Sequence, residues 1–281
     1  MELEPIIGRY ASVDLEGQRA RVYFEEAGAG PILLCLHTAG ADSRQYRYIL
    51  NDPEITARWR VVAFDLPYHG RSSPLGSWWR ERYRLTADRY ERTILAVIDA
   101  LELERPVVMG CSMGGAIVLR LAARHGERFS GIIGLESTAR AGGRYLEYLD
   151  HPAVNGGELV ATYTYGLCAP QSPEHNRREN WWYYAQSAPG VYQGDVYFYS
   201  QEWDERQAVA GIDTARCPVV LLTGEYDYSC TPEMTRETAA RIPGAEVTIM
   251  PGIGHFPMIE HPERFRPHVL AALERMRKDV A

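Results

Sequence analysis

Val107-Val108-Met109-Gly110-Cys111-Ser112-Met113-Gly114-Gly115-Ala116 reads as a buried strand, a tight turn and the start of a helix of small residues. A G-x-S-x-G turn between a strand and a helix holds its serine in a strained backbone conformation, with the hydroxyl projecting above the sheet. Gly110 and Gly114 suit that turn because backbones approach each other closely there. Alone, the pentapeptide is weakly specific. The strand before it and the helix after it supply the confirming context.

Outward from this turn, short continuous apolar runs recur at Ile32–Leu36, Val61–Phe64, Val107–Met109, Ile132–Leu135, Val219–Leu222 and Val247–Met250. Unbroken rather than alternating hydrophobicity is expected of strands in a parallel sheet covered by helices on both faces. Residues 8–14 and 19–26 instead alternate around Glu16-Gly17-Gln18, the pattern of an antiparallel hairpin. Helices are predicted at Thr86–Leu103, with Leu95, Ile98 and Leu101 at spacings of three, and at Gly115–His125. Two more are predicted at Thr231–Ile242, opened by Thr231-Pro232-Glu233, and at Pro262–Lys278. This alternation points to an α/β fold with a mostly parallel sheet.

Ser137–Asp213 breaks the alternation. It contains Trp181-Trp182-Tyr183-Tyr184 and Tyr197-Phe198-Tyr199, and nine of the 23 residues from Trp181 to Trp203 are aromatic, too dense for an ordinary connection. The reading is a helical cap inserted after the sixth core strand: residues 137–213 form the cap, and 1–136 with 214–281 form the core. No internal repeat or long linker marks a second independent domain.

Composition narrows the function classes. The 281 residues are 46% hydrophobic and 24% charged, as in ordinary globular domains, which excludes a disordered tail or a low-complexity scaffold. Such a length can bury roughly 75% of the unfolded surface in one large core. The formal charge is −7 and no Lys/Arg cluster is present, so neither nucleic acid nor an anionic membrane is an expected partner. Cys35, Cys111, Cys168, Cys217 and Cys230 are odd in number and form no CxxC pair, the pattern of buried, reduced thiols. Met1-Glu2-Leu3-Glu4-Pro5 has no signal-peptide pattern, and no apolar run approaches the roughly 18–20 residues of a membrane span. The expected address is the cytoplasm.

Three further landmarks accompany the serine turn. His37-Thr38-Ala39-Gly40 follows the third strand; Asp65-Leu66-Pro67-Tyr68-His69-Gly70-Arg71-Ser72 follows the fourth. Leu221-Leu222-Thr223-Gly224-Glu225-Tyr226-Asp227 and Gly254-His255-Phe256-Pro257 come later. Together they resemble the α/β-hydrolase superfamily over essentially the whole chain, in its order Ser112…Asp227…His255. The resemblance implies the α/β-hydrolase fold and a nucleophile, Ser112, whose proton is taken by His255 while Asp227 orients the imidazole. Glu225 and Glu136 are rivals for the acid, Asp227 fitting the G-x-x-D pattern best. His69 reads as a structural hydrogen-bonder, and His125, His261 and His268 as surface residues.

The resemblance also implies an oxyanion hole of two backbone N–H groups. One is Met113; the other is Ala39 or Thr38, since this chain has His37-Thr38 where the family often has His-Gly. Expected pocket residues are His37, Trp181, Trp182, Tyr184 and Phe256, favouring apolar or aromatic groups. Arg140, Arg144, Arg177 and Arg178 read mainly as solvated charge, with a substrate carboxylate as the other reading. No metal or cofactor is expected, because a serine mechanism needs none and no ligand motif is present. The leading function is a serine hydrolase of a small ester or related carbonyl compound. Hydrolysis of a carbon–carbon bond in a diketone or ring-cleavage product, and non-catalytic ligand reception on the same fold, are the alternatives. Dehalogenase and epoxide-hydrolase chemistry need an aspartate where Ser112 stands. The partner is a small-molecule substrate, and homodimerisation is left open.

Overall fold

Eight strands, β1 (Ile7–Leu15), β2 (Gln18–Ala27), β3 (Ile32–Leu36), β4 (Arg60–Phe64), β5 (Val107–Cys111), β6 (Gly131–Leu135), β7 (Val219–Gly224) and β8 (Glu246–Met250), form one sheet of order β1-β2-β4-β3-β5-β6-β7-β8. The β1–β2 hairpin is antiparallel and β2 joins β4 antiparallel; all later pairings are parallel. The computed structural model describes residues 3–151 and 153–277. Met1, Glu2 and Lys278, included above in the N-terminal and last-helix readings, lie outside the described residues.

From β3 to β7 the apolar runs are continuous because each strand feeds two cores, whereas edge strand β8 is half-exposed, with Met250 alone fully buried. Along β3, Leu34 and Leu36 join Val62, Phe64 and Val108 on one face, under Ile94 and Val97 of the Ala87–Ala100 helix and Ile117 and Leu121 of the Met113–His125 helix. Leu33 and Cys35 join Val61, Ala63 and Met109 on the other face, under Phe265, Val269 and Leu273 of the Pro262–Arg277 helix. Side chains alternate faces along a strand, so covering both faces requires apolar residues at every position. All five cysteines are free and buried.

The second helix starts at Met113, two residues before the sequence suggested. Gly114 and Gly115 are poor helix formers, but their lack of side chains lets this first turn lie directly on the sheet. A Cβ on Gly114 would sit 2.5 Å from the Leu36 carbonyl oxygen, and one on Gly115 2.3 Å from that of Leu135.

Between β6 and β7 lie the helices Gly156–Leu167, Glu174–Ala185 and Val191–Tyr197, followed by a π-helical turn at Phe198–Glu202. Val160, Leu167, Tyr183 and Tyr184 of this segment share an apolar cluster with Ala41, Phe256 and Ile259 from the loops after β3 and β8. Asp195, fully buried, ties the segment to the core: it accepts from the Gly40 N–H at 2.7 Å and from the Tyr83 hydroxyl at 2.9 Å. Among the described residues no helix is long and apolar enough to cross a membrane.

Candidate active site

The sheet order decides what can meet. β5 lies between β3 and β6, with β7 and β8 beyond, and β3 to β8 are parallel. The loops carrying Thr38, Ser112, Glu136, Asp227 and His255 therefore all emerge at one edge, the carboxyl ends of the strands, where open α/β sheets bind ligands.

Ser112 has φ 55° and ψ −108°, a left-handed φ that side-chain-bearing residues rarely adopt. The surroundings impose it. Its N–H donates to the Leu135 carbonyl at 2.9 Å, and its own carbonyl accepts from the Ala116 N–H at 2.7 Å. A Cβ at Gly110 would lie 2.3 Å from the Gly114 oxygen, so the turn tolerates only glycine there.

His255 Nε2 lies 2.9 Å from Ser112 Oγ, and Nδ1 lies 2.7 Å from Asp227 Oδ2. All three side chains are buried. Burial raises the Asp227 carboxyl, but the His255 ring, its hydrogen bond, Glu136 and the Ser229 N–H outweigh it and hold Asp227 below the usual range. An ionised carboxylate only accepts, so Nδ1 carries the imidazole proton and Nε2 accepts from the serine hydroxyl. The other oxygen, Oδ1, accepts from the Ser229 and Cys230 N–H groups at 2.7 and 3.1 Å.

The two rival acids are placed differently. Glu225 is exposed, and its Oε2 accepts from the Gly252 N–H at 3.0 Å. Glu136, fully buried, accepts from the Gly224 N–H at 2.9 Å and hydrogen-bonds the Asp227 carboxyl. Burial first, then the Asp227 charge, push Glu136 well above the usual range. Both effects favour its neutral form, which can donate to the ionised Asp227.

The sequence offered no sign of Glu260. Buried, it accepts from the Gly254 N–H at 2.6 Å and the Phe256 N–H at 3.1 Å, flanking His255 on both sides. It also takes the Ala169 N–H at 3.1 Å and the Ser172 hydroxyl at 2.9 Å. A lone glutamate after Gly254-His255 signals this only to a reader who already knows the loop closes on itself.

After β3, the Thr38 N–H is occupied by Gln45 Oε1 at 3.2 Å. The Ala39 N–H has no acceptor among the described residues, and Met113 opens its helix, where the N–H lacks an intrahelical partner. Thr38, Ala39, Ser112, His255 and Phe256 line a narrow cleft whose remaining wall is mostly Tyr163, Leu167, Tyr184, Tyr192 and Tyr199.

Three expected pocket residues lie elsewhere. His37 spends both ring nitrogens on its own loops: Nδ1 donates to the Thr38 carbonyl at 2.8 Å and Nε2 accepts from the Leu66 N–H at 3.1 Å. Trp182 is 56% exposed on the outer side of its helix. Trp181 is half-buried and packs at the margin of the apolar cluster that holds Tyr183 and Tyr184. A run of four aromatic residues on a helix spans all sides of it, so they cannot all face one cleft. Conversely, Tyr163, Tyr192 and Tyr199 reach the cleft without having been singled out.

His69 donates from Nδ1 to the Pro67 carbonyl at 3.0 Å and from Nε2 to Asp195 Oδ2 at 2.7 Å. Burial lowers its basicity, but the Asp195 charge and hydrogen bond win and raise it. His125, His261 and His268 are half-buried rather than fully exposed, and His125 pairs with Glu91 at 2.8 Å.

His37 carries a pH prediction. Burial, followed by the neighbouring His69, lowers it to about 4. Between that value and about 6.5 the unfolded chain binds the proton and the folded chain does not, so this contribution to stability is present above pH 6.5 and lost as pH falls toward 4. The stability gap between wild type and His37→Gln, measured by urea unfolding, should narrow by roughly 2 kcal/mol from pH 7 to 4.5. A constant gap across that window overturns the assignment of a neutral, buried His37.

Residues 31–262 match the family described as alpha/beta hydrolase fold, and the chain belongs to that family. The 2-hydroxymuconate semialdehyde hydrolase of Pseudomonas sp. (strain CF600) is 25% identical over 283 aligned residues, covering 93% of this chain and 92% of the relative. A thermophilic esterase from Thermogutta terrifontis, solved with malate bound, superposes with a TM-score of 0.83 at 20% identity, covering 96% of this chain and 99% of that one. The enol-lactonase from Burkholderia xenovorans LB400 gives 0.82 at 21% identity, with 95% and 100% covered. The chain is a hydrolytic enzyme of the alpha/beta hydrolase class.

Proposed function

We propose that this protein cleaves a small, fairly apolar or aromatic ester, or a related carbonyl compound, through an acyl-enzyme on Ser112. The observation that carries the reading is the chain Ser112–His255–Asp227, with contacts of 2.9 and 2.7 Å. Ser112 Oγ attacks the carbonyl carbon as its proton passes to His255 Nε2. The intermediate collapses, and the leaving alcohol departs with that proton. Water then attacks the acyl-serine, giving its proton to His255, which returns it to Ser112 as the acid leaves. Asp227 fixes the imidazole tautomer and offsets the imidazolium charge.

The N–H groups of Met113 and Ala39 receive the oxyanion in this reading, because Gln45 occupies that of Thr38. One such donor is worth about 10²–10³ in rate. Residues 137–213 act as the cap, and the five free, buried cysteines fit a cytoplasmic protein. Hydrolysis of a carbon–carbon bond, with the same three residues, is the second reading, favoured by the full-length relative named for 2-hydroxymuconate semialdehyde.

A fluorophosphonate probe tests the reading directly: peptide mass mapping should find a single adduct on Ser112, blocked by prior turnover inhibition. Absence of an adduct on Ser112 in folded protein removes the nucleophile. A panel of p-nitrophenyl esters against vinylogous diketones separates the two substrate readings.

The cap should set selectivity through Tyr184, whose ring lies 5.6 Å from that of Phe256. Tyr184→Ala is expected to change the kcat/KM ratio of a bulky aromatic ester to an acetyl ester about tenfold, besides costing about 3–5 kcal/mol of stability. Trp182→Ala should move neither quantity appreciably, stability changing by less than about 0.5 kcal/mol. A larger selectivity change at Trp182 than at Tyr184 would contradict this.

A further inference from the structure

We infer that the cleft beside Ser112 accepts a substrate carrying a carboxylate, and that Arg144 is the cation that receives it. The inference deepens the proposed reading and rests on it for the identity of the bond cleaved.

Arg144 lines the same cleft as Ser112 and His255. Its backbone is pinned there, the N–H donating to Ser200 Oγ at 2.9 Å. Its guanidinium donates to two neutral acceptors, the carbonyl oxygens of Ser229 and of Gly142, the latter at 3.3 Å. Its Nε–H is buried and has no acceptor. No carboxylate pairs with Arg144 among the described residues.

Other arginines of the same segment differ. Arg178 pairs with Glu174 at 2.7 Å and Arg206 with Asp204 at 2.6 Å, both on the exposed surface. In the core, nearly buried Arg120 has three carboxylate partners, Asp88, Glu91 and Glu205. Among the described residues, every other arginine that is at least half-buried has a carboxylate partner, and half-buried Arg144 in the cleft does not. Removing a charge from water without a partner is costly, whereas an arriving carboxylate finds a planar, multi-donor fork already in place.

The surroundings suit such an anion. Tyr163, Tyr192 and Tyr199 lie close enough to Arg144 for its charge to act on their hydroxyls. The Tyr199 hydroxyl is held by Cys230 Sγ at 2.7 Å, but those of Tyr163 and Tyr192 have no partner among the described residues. The simplest such substrate is a short dicarboxylic acid esterified at one end, its free carboxylate on Arg144 and its ester carbonyl at Ser112.

Binding to Ser112→Ala protein tests this without turnover. Titration calorimetry with monomethyl glutarate should give a Kd at least tenfold lower than with dimethyl glutarate, and the advantage should shrink in 0.5 M NaCl. In the Ser112→Ala background, Arg144→Gln should bring the ratio to about one, with Arg144→Lys keeping part of it. Equal binding of monoanion and neutral diester by the Ser112→Ala protein overturns the inference, and that comparison stands even if the Arg144→Gln protein fails to fold. A preference that survives Arg144→Gln in folded protein overturns it as well. Fluorophosphonate labelling of the unsubstituted protein reports on the serine-hydrolase reading separately, so the two failures are distinguishable.

Discussion

Ser112→Ala should lower kcat by about 10⁴-fold or more while leaving the folded structure in place. In a serine–histidine–carboxylate mechanism the nucleophile acts as a unit with its base, and its loss alone costs nearly as much as loss of all three. The structure separates the chemical role of Ser112 from its structural one. The hydrogen bonds that hold the turn are those of its backbone, to Leu135 and from Ala116. Its hydroxyl makes its contact with His255 at 2.9 Å. Alanine meets the positive φ at no lower strain than serine, and the glycines that make room for the turn are untouched. The thermal midpoint should therefore shift by only a few degrees, as expected for loss of about 1 kcal/mol or less. Retention of more than about one hundredth of the wild-type rate would sink the nucleophile assignment.

Asp227→Asn and Glu136→Gln form a paired test of which carboxyl is the working acid. Asp227 Oδ2 accepts from His255 Nδ1 at 2.7 Å. An amide there favours the wrong imidazole tautomer and cannot balance the imidazolium, so kcat should fall by about 10⁴. Glu136 sits immediately behind it, but burial and the Asp227 charge favour its neutral form, which takes the Gly224 N–H at 2.9 Å and hydrogen-bonds Asp227. Glutamine reproduces both interactions, carbonyl for carbonyl and N–H for O–H. Glu136→Gln should therefore cost less than about tenfold in kcat, roughly 1.4 kcal/mol. Comparable losses in the two variants would mean that the negative charge is shared between the carboxyls, contrary to this assignment.

The sheet and the serine turn were legible in the sequence because their causes are local. A strand buried on both faces must be apolar at consecutive positions, as Ile32–Leu36 and Val107–Cys111 are. Gly110 and Gly114 mark the tight approach at Ser112 whatever lies further away. The loops bearing Asp227 and His255 could be placed by the short motifs around them; the first also follows the unbroken apolar run of β7, while the second follows the half-exposed edge strand β8.

The lining of the cleft was a different matter. In the Glu174–Ala185 helix the buried positions are Asn176, Asn180, Tyr183 and Tyr184, spaced as one helical face. Two asparagines disguise that face from any hydrophobic count, while Trp182 advertises an apolar side that is in fact 56% exposed. Asp195 meets Gly40 and His69 across 155 and 126 residues of chain, and Arg144 reaches Ser229 across 85. No local pattern encodes such pairings. The sequence by itself therefore determined the sheet, the strained serine and the order of the three residues that meet at it, through steric and periodic requirements within a few residues. Only the tertiary structure decided which tyrosines face the cleft, which carboxyl is pushed toward its neutral form and which half-buried arginine lacks a carboxylate partner, because burial and charge pairing depend on neighbours that folding brings from far along the chain.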